Sequence, residues 1–436
     1  MPKVTKKGRK AHRVCRNNTW SELPYPALVE VYRNLHDKDR VAAAQVCHMW
    51  GKAFTNPALW RSKHFVLGGS KANSSGQRAV VFAQKMGPCL RHVYIKCRHL
   101  TSNTCETIAS SLEQFCSNLE HSRLEHLVIR ELELDRFWKH AHLRPKVAQC
   151  LQNMLRSQRN LQLLDLSTAQ FGVLPGSEVL AAASEGSGSK ISCLELPDFF
   201  HTQLAAFEIP AYVKAILGFS NLQQINLNYC CLSDHIVEQW AKVLAGKLED
   251  LEIRVCSNEP HTHRISNESW SLLKAACPRL TVDMSILGIG PASSVIPILA
   301  PPIPLVYLHY WSGHDGDTEL GLHSTLRHIA AHYASSLKQL SLDFDNLHDR
   351  INEQLIALVA RCRRLTSLRI KAIADVQVAD TICQMIQERE NCLRDVSIML
   401  CDLAEPELEL LQDLRERLAP FVESRDINIT LRNDMF

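Results

Sequence analysis

A short phrase, LxxLxL with Ile or Val allowed at each apolar position, is written many times along this chain. The clearest copies are Leu124, Leu127, Ile129; Leu161, Leu164, Leu166; Ile191, Leu194, Leu196; Leu222, Ile225, Leu227; Leu248, Leu251, Ile253; Leu337, Leu340, Leu342; Leu365, Leu368, Ile370; and Leu393, Val396, Ile398. Weaker copies stand at Leu90, Val93, Ile95 and at Ile303, Val306, Leu308, with a degenerate one near Leu280 and Val282. Residues two apart share one face of a strand, so the last two anchors of each phrase predict a short strand with its inner side on a core. Between phrases the apolar period changes from two to three and four, as in Ile236, Val237, Trp240, Val243 and Leu244, which predicts a returning helix with one buried stripe. Similar stripes run through Leu355, Ile356, Val359, Cys362 and through Ile382, Met385, Ile386. Neighbouring clear copies are mostly 26 to 37 residues apart. One strand and one helix cannot bury their apolar faces alone, so the expectation is a stack of units forming an α/β solenoid, a horseshoe with parallel strands on its concave face.

Three stretches depart from this pattern. Residues 18–66 carry a different order of anchors: Leu23-Pro24, Leu28, Val31, Leu35, Asp39, Val46-Cys47, Trp50 and Leu59-Trp60. Pro24 and Pro26 suit the entry to a first helix, Asp37 or Asp39 a cap on a second, and Asn56-Pro57 the start of a third turn. Residues 176–189 are rich in Gly and Ser and read as a flexible insertion. Residues 284–308 contain no Asp, Glu, Lys or Arg, a length sufficient to span a bilayer, but two glycines and five prolines break any continuous helix there. A buried strand followed by a Pro-rich connection fits that stretch. The domain reading is a disordered basic tail (1–17), a small helical module (18–66), a linker (67–86) and the solenoid (87–436).

Composition narrows the function. The 436 residues are 46% hydrophobic, and 49 Lys and Arg against 46 Asp and Glu leave a net charge of +3, so a large core is available and nothing in the overall charge points to nucleic acid or a membrane as partner. The basic run Lys3, Lys6, Lys7, Arg9, Lys10, Arg13, Arg16 reads as a solvated tail or a nuclear localisation signal, and no apolar segment follows it as in a secretory signal. Sixteen cysteines without a CxxC pair read as reduced core thiols in the cytoplasm and/or nucleus. His261 and His263 lack a third ligand by spacing and read as a loop pair. No P-loop, GxSxG, HExxH or GxGxxG signature occurs in a suitable context, so neither an enzyme nor a metal or other cofactor is expected.

The repeats resemble the leucine-rich repeat family, in its cysteine-containing class. Cys230, Cys256 and Cys401 stand three residues after the last apolar anchor, and Cys277-Pro278-Arg279-Leu280 repeats that class's entry phrase. The module at 18–66 resembles the F-box, with LP, VC, W and LW at that family's spacing. Arg40 departs from it, since a Leu usually follows the Asp, and this is expected to weaken adaptor binding. Together the two parts are similar to F-box/leucine-rich-repeat proteins, and the phrases at 132–138, 199–201 and 226–234 are similar to a branch named F-box only proteins. The resemblance implies a non-catalytic substrate receptor of an Skp–cullin–F-box ubiquitin ligase, or else a ligase-independent interaction scaffold. It implies that Leu23, Pro24, Leu28, Val31, Leu35, Val46, Cys47, Leu59 and Trp60 contact an Skp-type adaptor, and through it a cullin-RING scaffold, with Trp50 kept for the module's own core.

A protein client would meet the outward positions of the strands, where side chains leave the core and line up across neighbours. The residues between the last two anchors are Asp165, Glu195, Asn226, Glu252, Tyr307, Ser341, Arg369 and Ser397. Carboxylates fall in the earlier repeats and an Arg in a later one, so a client would read opposite charges at the two ends.

Overall fold

The computed structural model describes residues 20, 23–99, 103–201, 204–259, 263–313, 319–388, 392–423 and 427–434. The chain divides between Lys63 and His64 into two compact units. The first holds three helices, α1 (Tyr25–Arg33), α2 (Asp37–Ala44) and α3 (His48–Phe54), and a short 3-10 turn (Pro57–Leu59). Pro24 and Pro26 do open α1. The Asn56 side chain caps the 3-10 turn, its Oδ1 accepting from the Ala58 N–H at 2.9 Å. The expected Asp cap on α2 is corrected: His36 holds the cap position, and Asp37 and Asp39 lie inside the first turn, where their charge suits the exposed N–H groups of a helix start.

The second unit is the solenoid. Its strands are β1 (Ser62–Gly68), β2 (His92–Arg98), β3 (His126–Arg130), β4 (Leu163–Asp165), β5 (Cys193–Glu195), β6 (Gln224–Asn228) and β7 (Asp250–Cys256), followed by β8 (Thr281–Leu287), β9 (Leu305–Trp311), β10 (Gln339–Asp343), β11 (Ser367–Ala372), β12 (Asp395–Cys401) and β13 (Asn428–Asp434). All thirteen join one sheet in chain order. Every register from β2 to β13 is parallel. A helix returns after each strand but the last: α4 (Ala72–Met86), α5 (Asn103–Leu119), α6 (Leu143–Ser157), α7 (Val173–Ser187), α8 (Pro210–Ile216), α9 (Asp234–Val243), α10 (Asn267–Ala276), α11 (Ala292–Val295), α12 (Leu322–His332), α13 (Asn352–Arg361), α14 (Val376–Gln387) and α15 (Glu405–Glu423). One strand, one helix and a parallel neighbour, repeated without a crossover, is the leucine-rich-repeat solenoid.

The core confirms the phrase. Every anchor of the eight clear copies is at most 4% exposed, and all belong to one continuous cluster with the helix stripes. The stretch 284–308 is the end of β8, the single turn α11 and the start of β9, and among the described residues no helix is long and apolar enough to cross a membrane.

Two expectations are overturned. Residues 67–86, read as a linker, hold the end of β1 and all of α4, whose Ala79, Val80 and Ala83 are buried against the first repeats; the first phrase escaped notice because Phe65 and Leu67 lack a leading Leu. Residues 176–189, read as a flexible insertion, lie mostly in α7. A Cβ on Gly176 would come within 2.6 Å of the Phe200 ring, and one on Gly186 within 2.3 Å of the Leu155 carbonyl oxygen. These glycines admit neighbouring backbone and rings at close range, which is a packing role and not one of looseness.

Candidate adaptor and client surfaces

In the first unit an aromatic cluster organises the interior. Tyr32 meets Trp50 edge-on at 5.6 Å, Phe54 meets Trp60 at 5.0 Å, the Tyr32 hydroxyl donates to the Trp50 carbonyl at 3.0 Å and the Trp60 indole to the Phe54 carbonyl at 2.7 Å. Leu28, Leu59 and Trp60 are therefore interior residues, buried with Trp50, and the structure moves all three from the expected adaptor contact to the module's own core. Pro24 and Val46 are exposed, while Leu23, Val31, Leu35 and Cys47 are half-buried.

Arg40 is also internal. Its guanidinium donates to the carbonyls of Tyr32 (2.9 Å), Leu59 (3.3 Å) and Arg33 (3.3 Å) and lies 5.4 Å from the centre of the Trp60 ring. The residue that breaks the family pattern thus ties α2 to α1 and to the segment that carries Trp60.

What the first unit leaves open is a helix face. No residue of α2 is buried. Val41 on that helix, Val46 after it (66% exposed) and Met49 on α3 form an apolar set facing solvent. Reading the sequence alone missed Val41 and Met49, whose only signal is a helix with apolar residues and no interior partner.

In the second unit the outward side chains fall into rows set by strand register. One row runs Asp165, Glu195, Asn226, Glu252, Asp283, Tyr307, Gln339. The adjacent row, two residues further along each strand, contains Arg254, Ser285, His309, Ser341, Arg369, Ser397 and Thr430. The eight expected positions do not form one line: Ser341, Arg369 and Ser397 share the second row with His309, not with Tyr307. The cause is an irregularity at Val282/Asp283, where Leu305 pairs with Val282 and Tyr307 with Asp283, leaving Val306 unpaired. The buried anchors of β9 are Leu305, Leu308 and Tyr310. Of the expected anchors of this copy, Ile303 and Leu308 do reach the core and Val306 does not.

Two of the expected residues are engaged within the chain. Asp165 is buried, pairs with Arg130 at 2.6 Å and accepts from the Ser167 N–H (2.9 Å) and hydroxyl (2.5 Å). Asn226 is only 8% exposed. The others are half-buried or exposed. Burial, and next the Asp165 charge, hold Glu195 above the usual carboxylate range; burial, and next Asp250, do the same to Glu252, with the Asn226 amide partly offsetting both. Burial raises Asp250. Asp283, which sequence reading missed because its strand lacks the Leu phrase, is pushed up to about 6 by burial, then by Asp250 and Glu252.

Beside this face lies a polar knot. The Asp198 N–H donates to Asn228 Oδ1 at 2.6 Å, which fixes Asp198 in its left-handed backbone conformation (φ 53°). Asn228 Nδ2 in turn donates to Asp198 and to the buried Glu259, and Arg254 pairs with Asp198 at 2.5 Å. Burial pushes Glu259 up to about 7 despite the Asn228 bond. His263 stacks on Tyr229 at 4.7 Å, and His261 lies outside the described residues, as do the basic tail and the C-terminal Phe436.

Residues 20–66 match the family described as F-box-like. F-box/LRR-repeat protein 8 of Homo sapiens is 25% identical over 369 residues, covering 82% of this chain and 90% of that protein. The chain is similar to F-box/LRR-repeat proteins. F-box/LRR-repeat protein 21 of Mus musculus is 26% identical over 275 residues, 61% of this chain and 59% of that protein. Among solved structures, the leucine-rich repeat-containing protein LegL7 of Legionella pneumophila is 12% identical, covers 81% of this chain and 98% of its own, and superposes with a TM-score of 0.38. In this F-box-like domain the motif residues thus divide into an aromatic interior and an open α2 face.

Proposed function

We propose that this chain is the substrate-recognition subunit of an Skp–cullin–F-box type ubiquitin ligase. Its F-box-like domain docks an Skp-type adaptor, and through it a cullin-RING scaffold, while the repeats hold a protein client. The observation that carries the reading is α2: a helix inside an F-box-like match that buries none of its residues and presents Val41 with Val46 and Met49 beside it. Such a face gains from a partner that covers it. Similarity to F-box/LRR-repeat proteins supports the same role.

On this reading the chain does no covalent chemistry. A client held on a sheet of thirteen hydrogen-bonded strands is held in a fixed orientation. Its lysines then reach a ubiquitin-loaded enzyme at high effective concentration, which is catalysis by proximity. The reading includes a cytoplasmic and/or nuclear setting, since most of the described cysteines are free thiols buried in the core. It also includes a place in the F-box only branch, resting on the three phrases at 132–138, 199–201 and 226–234.

The test is co-purification of the full chain with Skp-type adaptor and cullin. A Val41→Asp, Val46→Asp variant targets the open face, whereas changes at Leu28 or Trp60 would disturb the interior and confound the result. Each valine placed in an interface contributes about 1.5–3 kcal/mol, so the double variant is expected to lose the adaptor while its circular dichroism is unchanged. A wild-type chain that captures no adaptor, or a folded variant that captures it equally well, overturns the reading.

A further inference from the structure

Three metal-ligating side chains converge on the rim where the strands of two neighbouring repeats turn into their helices. Glu319 and His323 come from the segment between β9 and α12 and from the first turn of α12, and Asp349 from the segment between β10 and α13. One donor atom of each, two carboxylate oxygens and an imidazole nitrogen, lies within 4.8 Å of the other two. Sequence spacing hid the set, because His323 and Asp349 belong to different repeats.

The local fold holds these donors in place. Gly321 is left-handed (φ 67°), a conformation that other residues rarely adopt, and it turns the chain into α12 between Glu319 and His323. Leu320 and Leu322, on either side of it, are buried and anchor the turn. Asp349 is 5% exposed, and its Oδ2 accepts from the Leu320 N–H at 2.8 Å, which joins the two segments. Asn346 fixes the backbone at Asp349: its amide donates to the carbonyls of Asp349 (2.9 Å) and Ile373 (2.8 Å), and its Oδ1 accepts from the Ile373 N–H (2.8 Å). With Oδ2 so engaged, Asp349 Oδ1 stands 3.9 Å from His323 Nδ1, beyond hydrogen-bond reach. Among the described residues neither Asp349 nor Glu319 pairs with a Lys or Arg. A buried carboxylate with one oxygen open, aimed at an imidazole and a second carboxylate, lacks the cation that its burial calls for.

We propose that Glu319, His323 and Asp349 bind a divalent transition-metal ion, Zn²⁺ by their donor set. Imidazole nitrogen with carboxylate oxygen suits such an ion, whereas Ca²⁺ and Mg²⁺ take oxygen ligands. Ligand atoms about 2.0–2.2 Å from a tetrahedral ion stand about 3.3–3.6 Å apart, so the set closes by a shift of about 1 Å, within reach of the exposed Glu319 and the half-buried His323. Three protein donors leave a fourth position to water. The ion clips two strand-to-helix segments together and stabilises that pair of repeats by mass action. None of the adaptor or client residues takes part, so the site stands or falls apart from the ligase reading.

The test is titration of the metal-free full chain with Zn²⁺ against a chromophoric chelator, with the thermal midpoint recorded with and without the metal. Other His and Cys side chains bind some zinc, so the difference between wild type and variants is what counts. Wild type is expected to hold one equivalent more than His323→Ala, Asp349→Asn, and to gain thermal stability from zinc that the double variant does not. Loss of groups that merely orient a ligand costs about 10–100-fold in metal affinity, so His323→Ala, Asp349→Asn and Glu319→Gln are each expected to weaken this equivalent at least about tenfold. Asp349→Asn keeps an oxygen for the Leu320 N–H, and unchanged circular dichroism verifies the fold. His121→Ala removes an exposed imidazole elsewhere and is expected to change nothing. Equal zinc uptake by wild type and the double variant, equal loss in His121→Ala, or displacement of the zinc by an equal concentration of Ca²⁺ overturns the proposal.

Discussion

Glu259 is the clearest case of a residue whose environment opposes its charge. It is 7% exposed, its Oε1 is occupied by Asn228, and its Oε2 makes no hydrogen bond among the described residues. Burial raises it from 4.5 to about 7, which corresponds to about 3 kcal/mol of differential interaction between its two protonation states. The sign follows from the direction. The folded chain holds the proton more tightly than the unfolded one, so this group's contribution is most favourable below its ordinary value and is lost as pH rises towards about 7. Glu259→Gln keeps the Oε1 acceptor and removes the charge. Its thermal midpoint is therefore expected to exceed wild type at pH 8 and to approach wild type at pH 5; equal midpoints at pH 8 would contradict the assignment. Arg40 poses the reverse case, a charge well used. Arg40→Ala loses three carbonyl contacts and the Trp60 contact, so it is expected to destabilise the F-box-like domain by about 1.5–3 kcal/mol, read as faster amide hydrogen exchange in α1. Sequence reasoning saw Arg40 only as a departure from a pattern, because its partners are backbone carbonyls that no residue type announces.

At the scale of elements, the apolar period identified strands and helices well wherever Leu marked the frame. All the anchors of the eight clear phrases are buried. It failed where apolar residues are too many or too few. The run from Ile303 to Leu308 holds five apolar residues with Pro304, so several frames fit, and the unpaired Val306 decides among them. The β8 sequence TVDMSIL alternates with Val282, Met284 and Ile286 at its buried positions instead of the Leu phrase, and Asp283 was lost with it. Helix α7 shows a different limit, since glycine content reports backbone freedom while its use here is close approach. Replacing Gly by Ala inside a helix ordinarily gains about 1 kcal/mol from propensity. At Gly186 the added methyl would stand 2.3 Å from the Leu155 carbonyl oxygen and 2.8 Å from that of Gln158, so overpacking of about 1–3 kcal/mol outweighs the gain. Gly186→Ala is therefore expected to lower the urea midpoint, and a rise would show that α6 and α7 separate easily.

At the scale of the whole solenoid, each repeat is stabilised by its neighbours, so the last strand protects the one before it. Strand β13 pairs along its full length with β12, from Asp395↔Asn428 to Cys401↔Asp434. Its own outer positions are polar, with Asn428, Arg432, Asn433 and Asp434 exposed, the kind of edge that resists pairing with another chain. Strand β12 is unlike it: Val396, Ile398 and Leu400 are buried, and Met399 is the only long side chain between them. Removing residues 405–436 uncovers both the hydrogen-bonding edge of β12 and the apolar side that Leu411, Leu414 and Leu418 of α15 cover. That truncation is expected to shift the protein to higher mass than the full chain by size-exclusion chromatography with light scattering. Two causes predict the same shift, and a second change separates them. Ser397→Lys with Met399→Lys places charge on the outward side of β12 without touching its core side, and charged residues on an edge strand oppose strand addition. If the exposed edge drives association, the charged truncation returns to the mass of a single chain; if the uncovered apolar side drives it, the two lysines change nothing and the role assigned to the β12 edge fails.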